Sequence, residues 1–156
     1  MLKQLNNLSV ESDGRYASDS ELKFLKDYLK TLELRISAYE KIRNAEDQII
    51  SQWAAKVLAS NPNLYFKGNQ DFTAICKRDR HSVLRISSAA MLMDDLENLR
   101  NGFLHWYRTI VHAFDYKQSA SITYPQLTEI LKQYLTPEEM GVIRPALDLT
   151  KSIVVG

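Results

Sequence analysis

Apolar positions recur along this chain at steps of three and four. Leu22, Leu25, Leu29, Leu32, Ile36 and Tyr39 form one such run, the spacing that lines one side of a long helix, and the stripe is read as core. Ser18 is the expected N-cap of that helix, with Glu21 three residues on completing a capping box. A second helix is predicted over 45–60, where Ile49, Ile50, Trp53, Val57 and Leu58 gather, and Asn61-Pro62-Asn63 ends it. Residues 64–71, with Gly68-Asn69, have no period and read as an irregular loop. Helices follow over 72–93 and 96–112, with Asp94-Asp95 as the break or cap between them. Residues 117–121 read as a polar link. Pro125 suits the first turn of the next helix, and Thr136-Pro137-Glu138-Glu139 is a capping box with proline at its first position. Pro145 should kink or divide the last helix.

These elements predict an all-α chain with no strand pattern, no internal repeat and no linker, hence one domain over 1–156. At 156 residues about two-thirds of the unfolded surface can be buried, so the chain should fold alone. Twenty basic and 19 acidic residues give a net charge of +1, which argues against a polyanion partner such as nucleic acid. No apolar run approaches the roughly 18 to 20 residues that span a bilayer, and residues 1–10 lack a signal-peptide core. With one cysteine and so no internal disulfide, a soluble cytoplasmic protein without membrane insertion is expected.

That cysteine, Cys76, opens the run Cys76-Lys77-Arg78-Asp79. On a helix, positions i and i+3 share a face, so Cys76 and Asp79 can line one wall, while Arg78 reaches the rim only through its length. A thiol, a carboxylate and a guanidinium suit a thioether-linked ligand with NH groups and carboxylates of its own. The plain alternatives are a small buried cysteine and a solvated charge run from Lys77 to His81. No phosphate loop, nucleophile elbow or Cys-His-Asn arrangement stands out, so no catalytic residue is assigned and the chain is not read as an enzyme. His81, His105 and His112 show no spacing that singles out a haem ligand, and no metal-ligand pattern is present.

Two stretches in order carry a resemblance to the phycobiliprotein family, closest to the allophycocyanin alpha type. Residues 14–22, GRYASDSEL, are similar to the Arg-Tyr-x-Ser-x-x-Glu-Leu segment leading into that family's first long globin helix. Cys76-Lys77-Arg78-Asp79 resembles its Cys-x-Arg-Asp chromophore motif, and Arg85 falls where the family has an arginine. Pro62 and Gly68-Asn69 suit the loop before the chromophore helix, and Trp106-Tyr107 suits a tyrosine-containing helix beyond it. The resemblance implies a globin-like helical bundle with an N-terminal helical extension over about residues 1–17. It also implies a phycocyanobilin-like open-chain tetrapyrrole on the Cys76 sulfur, normally attached with help from a lyase. Asp79 would then accept from the pyrrole NH groups, Arg78 would pair with a propionate, and Lys77, Asn69 and Tyr107 would complete the site. Asp13, Arg15, Tyr16 and Arg85 would face a phycobiliprotein-type partner subunit or a second copy, in an antenna peripheral to thylakoid membranes.

The chain also departs from the family pattern. Ser82, Val83 and Ala89 stand where aromatic residues are usual, which predicts a looser pocket and twisting of the ligand. His81 and the short 91–99 segment differ as well. These departures keep open a second reading, a bilin carrier or docking partner of a bilin-making enzyme or lyase, with transient binding or none.

Overall fold

The computed structural model describes residues 1–156. Helix α1 spans Leu2–Glu11, α2 Lys23–Asn44 and α3 Glu46–Ser60; a hairpin, β1 Phe66–Lys67 with β2 Gln70–Asp71, leads into α4, Thr73–Met93. After it come α5 Leu96–Asn98, a π-helical segment Leu99–Leu104, α6 His105–Ala113, α7 Lys117–Leu131 and α8 Pro137–Val155. The core runs between α3, α4, α7 and α8, where Trp53, Ile49, Leu84, Leu127, Ile130 and Ile143 are the largest fully enclosed side chains.

Helix α2 departs from its expected facing. Its buried residues are Tyr28, Ala38 and Ile42, whereas Leu29 is 55% and Ile36 42% exposed. The stripe is therefore split, with Leu29 and Ile36 turned to water while Leu22, Leu25, Leu32 and Tyr39 are half-buried, Tyr39 against the core. Tyr28, Thr31, Arg35, Ala38 and Ile42 share the inward side, and Tyr28 and Arg35 reach from it to the last carbonyls of α4, where the helical ladder runs out. The Tyr28 hydroxyl donates to Leu92 O at 2.9 Å, and Arg35 donates to Met91 O and to Asp94 Oδ1, the latter at 3.0 Å. Ser18 and Glu21 do form their reciprocal bonds, Ser18 N to Glu21 Oε2 at 2.8 Å and Glu21 N to Ser18 Oγ at 3.4 Å. They brace a turn that precedes α2 by one turn's length.

The second capping box sits where the sequence placed it. Thr136 Oγ1 accepts from Glu139 N at 3.2 Å, Glu139 Oε2 accepts from Thr136 N at 2.8 Å, and Pro137 fills the first helical position. The buried Glu139 carboxylate also receives Lys41 Nζ and Ser37 Oγ of α2, each at 2.7 Å.

Prolines were the poorer guides. Pro125 lies inside α7, not in its first turn, because the expected link over 117–121 is already helical. Trp53 Nε1 donates to Thr123 O at 2.8 Å across that helix. Pro145 neither divides nor ends α8, since Ile143, Ala146 and Leu147 on both sides of it are buried against the core. The single helix expected over 96–112 is instead three pieces. Asp94 takes a left-handed conformation at φ +50, Asp95 Oδ1 caps Asn98 N at 3.0 Å, and the wider π turn keeps Leu99 and Leu104 both buried. The 64–71 loop is ordered by its two-residue ladder, whose turn starts at Gly68 with φ +61, a value glycine takes without strain.

Candidate functional site

The hairpin has a positional consequence, since it returns the chain so that Phe72 N donates to Tyr65 O at 2.8 Å, and Asp71 Oδ1 then accepts from Thr73 N at 2.8 Å to start α4. The first two turns of α4 thereby face α6 and α7 across a cleft of about 260 Å³. Cys76, Asp79 and Arg80 form one wall, with Arg78 at its rim. Tyr107, Ile110 and Val111 of α6 and Ala120, Thr123 and Tyr124 of α7 form the other. Tyr65 and Phe72 from either side of the hairpin, with Phe114 and Tyr116 from the turn after α6, close one end. The Phe72 and Tyr116 rings meet edge to face with centroids 5.8 Å apart.

The i, i+3 geometry places Cys76, half-buried, beside Asp79 on the cleft wall. Arg78 is largely in solvent and donates to Asp79 Oδ1 through Nε at 3.2 Å and Nη2 at 3.0 Å. Tyr107 also lines the cleft, and its hydroxyl accepts from Tyr124 at 3.1 Å. Lys77 and Asn69 are exposed and stand outside the cleft, Asn69 at the hairpin turn. Ser82 and Val83 do not line it either: Val83 is enclosed in the core, and Ser82 Oγ bonds back to Arg78 O at 3.2 Å. The aromatic lining that is present comes from other elements, as Tyr65, Phe72, Tyr107, Phe114, Tyr116 and Tyr124.

Of the residues expected at a partner surface, Asp13 is exposed and Tyr16 is 98% exposed. Arg15 forks onto Glu21 at 2.7 and 3.0 Å. Arg85 is engaged within the chain: its Nε donates to Glu46 Oε1 of α3 at 2.7 Å, and the same oxygen is held by His81 Nδ1.

Sequence reasoning missed Arg80. It is 5% exposed, its guanidinium carbon lies 4.6 Å from the Tyr65 ring centroid and 5.5 Å from that of Trp53, and Nη2 donates to the Tyr65 hydroxyl. Its Nε has no partner, nor has the buried Tyr116 hydroxyl. The i+4 spacing from Cys76 was the available signal, hidden inside a run that reads as a solvated charge cluster. Tyr65, Phe72, Phe114 and Tyr116 gave none, since loop residues have no period to expose their facing.

Burial pushes the Cys76 thiol above the ordinary cysteine value, Arg80 draws it down, and Asp79 and Asp71 add to the rise. Burial likewise carries Tyr107 up to about 12 even though the Tyr124 hydrogen bond opposes it. Tyr124 is raised well above the usual phenol range, again chiefly by burial. The cleft at neutral pH therefore offers protonated phenols and a thiol as donors, a guanidinium in its wall and an apolar lining. Such a site suits a planar conjugated ligand with acceptor groups at its edges. At 260 Å³ it is near the small end for organic ligands, so a long one would extend past Arg78 into solvent. No helix is long and apolar enough to cross a membrane, and no three His, Cys, Asp or Glu side chains gather as metal ligands.

Known proteins resemble the chain at low identity. The chain is 22% identical over 139 residues to allophycocyanin subunit beta-18 of Aglaothamnion neglectum, covering 86% of this chain and 81% of that one. It is 34% identical over 90 residues to the allophycocyanin beta chain of the same organism, 56% of each. With the allophycocyanin alpha-B chain of a Synechococcus strain it shares 28% over 98 residues, 60% of each. Alpha-type and beta-type chains thus both appear, and an alpha assignment does not stand apart. The family profile described as phycobilisome protein matches residues 8–153. With that match over nearly its whole length, and with its all-α bundle, the chain belongs to the phycobilisome protein family and has its globin-like fold.

Proposed function

We propose that this phycobilisome protein binds an open-chain tetrapyrrole in the cleft between α4 and α6–α7, with the Cys76 sulfur as its covalent anchor and the whole of 1–156 as one binding body. The observation that carries the reading is the juxtaposition of Cys76 and Asp79 on the wall of an aromatic cleft that also holds two unpartnered donors, Arg80 Nε and the Tyr116 hydroxyl. The ligand supplies an exocyclic C=C and a conjugated π system that absorbs visible light. Cys76, once deprotonated, adds across that double bond; one S–C bond forms, the proton ends on the ligand carbon and nothing leaves, so no oxidant is needed. Asp79 presents its carboxylate to the pyrrole NH groups, and Arg78 swings from Asp79 to a propionate at the rim, a move open to it because it is mostly in solvent. Tyr107, Tyr65 and Phe72 hold the conjugated plane against rotation.

Partner contacts fall on α1, the segment after it and the outer side of α2, where Val10, Tyr16, Leu29 and Ile36 are exposed. A partner subunit or a second copy covers them in an antenna at the thylakoid surface. A non-harvesting carrier is the second reading. It is favoured by the Arg78–Asp79 ion pair, which already occupies the carboxylate the pyrroles need.

The test is coexpression with a bilin-producing pathway, denaturation in acidic urea and zinc-enhanced fluorescence on the separated polypeptide, beside a Cys76→Ala control. Pigment that survives denaturation and disappears in the control establishes the anchor. Pigment bound in the folded state but lost on denaturation establishes the carrier, and a folded protein without pigment overturns bilin binding and leaves a docking partner of a bilin-making enzyme or lyase.

A further inference from the structure

Arg80 is the one strongly polar group of the cleft that the family motif does not account for. A guanidinium removed from water costs several kcal/mol unless an anion and hydrogen-bond acceptors replace the lost hydration. Arg80 has neither in full. It is 5% exposed, and its Nε is unpartnered. The carboxylate next to it in the chain, Asp79, is engaged by Arg78. The Trp53 and Tyr65 rings give it cation–π contact, and the Tyr65 hydroxyl takes one N–H, yet a phenol that burial holds protonated carries no compensating charge. A second buried donor, the Tyr116 hydroxyl, is idle in the same cleft. A folded chain that keeps a buried cation and two unused donors in one aromatic cleft is built around an acidic group that arrives from outside.

We propose that Arg80 is an interior seat for a carboxylate of the ligand, so that the cleft selects planar conjugated molecules carrying a free acid. Resting on the bilin reading above, this adds a second anion contact, inside the cleft, to the one expected of Arg78 at its rim. The guanidinium is held over two rings and buried from solvent, so it fixes the ligand's depth and orientation before the thiol reacts. Arg78, mobile at the rim, cannot do that.

Purified protein is titrated with biliverdin, with its dimethyl ester and with anthracene-9-carboxylate, following tryptophan quenching and ligand absorbance. Wild type, Arg80→Gln, Arg80→Lys and Arg78→Gln are compared, each checked for helix content. The expected result is biliverdin binding at least about tenfold tighter than the ester in wild type, as one charged hydrogen bond gives. That preference is kept in Arg78→Gln, reduced in Arg80→Lys and lost in Arg80→Gln. Equal binding of acid and ester, or a preference that survives Arg80→Gln, overturns the seat while leaving the bilin reading intact. Anthracene-9-carboxylate bound in an Arg80-dependent way without any biliverdin binding upholds the seat and overturns the bilin. Binding of neither acid overturns both.

Discussion

Arg80 of α4 lies with its guanidinium carbon 5.5 Å from the centre of the Trp53 ring of α3, an ion stacked on the most enclosed aromatic of the core. The cation–π contact returns about 1 to 2 kcal/mol, less than the cost of holding a charge there without a counterion. Replacing Arg80 with methionine, which keeps the length and removes the charge, should therefore stabilise the ligand-free protein by about 1 to 3 kcal/mol. Each kcal/mol moves the melting midpoint about 2 to 4 °C at this size. A thermal melt of the unliganded variant below that of wild type would mean that the guanidinium is already satisfied. Trp53→Phe goes the other way: it removes the 2.8 Å bond to Thr123 O and part of a fully enclosed side chain, and should cost about 1 to 3 kcal/mol.

Cys76 should be a slow thiol at neutral pH. The thiolate is the nucleophile, and burial raises the thiol above its ordinary value. Its alkylation rate should thus lag that of an unstructured peptide at pH 7 and go on climbing after the peptide has levelled off. Arg80 opposes the rise, so Arg80→Met should slow alkylation further at neutral pH and leave the rate at high pH nearly unchanged. Iodoacetamide labelling followed by mass, from pH 6 to pH 11, reads both effects, and a rate already flat above pH 8 contradicts them.

Glu139 ties the start of α8 to α2, and its acidity reports that tie. Burial pushes its carboxyl up, but the bonds from Lys41, the Thr136 backbone and Ser37 outweigh burial and hold it below the usual carboxylate value. A group with a lowered folded value gives stability that is full above the unfolded value and lost as pH falls through the folded one. Urea midpoints should therefore drop on acidification in wild type. The drop should be shallower in Glu139→Gln, which at neutral pH costs about 1 to 3 kcal/mol because Lys41 and Ser37 keep only a neutral acceptor. Parallel acid profiles for the two proteins would show that the tie carries no pH dependence.

The helices were legible wherever period and cap agreed. Trp53, Ile49 and Val57 in α3 repeat at four and declare one face, and Thr136 with Glu139 fixes the start of α8 through bonds within four residues. The facing of α2 was not legible, because its inward side carries Tyr28 and Arg35 for the C-terminal carbonyls of α4. That need arises only once the two helices cross, so no local pattern records it. At the candidate site the spacing of Cys76 and Asp79 gave one wall. The opposite wall comes from α6 and α7 and the closing end from Tyr65, Phe72 and Tyr116, which meet through tertiary folding. Pro125 and Pro145 misled for a related reason: helix propensity is weak beside the burial of Tyr124, Leu127, Ile143 and Ala146 on either side of them.

The misread stripe of α2 yields the last prediction. Leu29 and Ile36 are exposed seven residues apart on one side of the helix, so they lie two turns from each other along a single face. Tyr16, 98% exposed just before α2, adds an aromatic ring that nothing in the chain covers. If a partner subunit or a second copy takes this face, charge there must abolish assembly without touching the core. The double variant Leu29→Glu/Ile36→Glu should keep its helix content and its melting midpoint, since both side chains already meet water and such surface changes stay within about 0.5 kcal/mol. Its sedimentation should be that of a monomer at concentrations where wild type, alone or mixed with a phycobiliprotein-type partner, runs larger. A wild type that stays monomeric under both conditions removes the face from consideration, whereas a double variant that melts early would mean that these side chains pack after all.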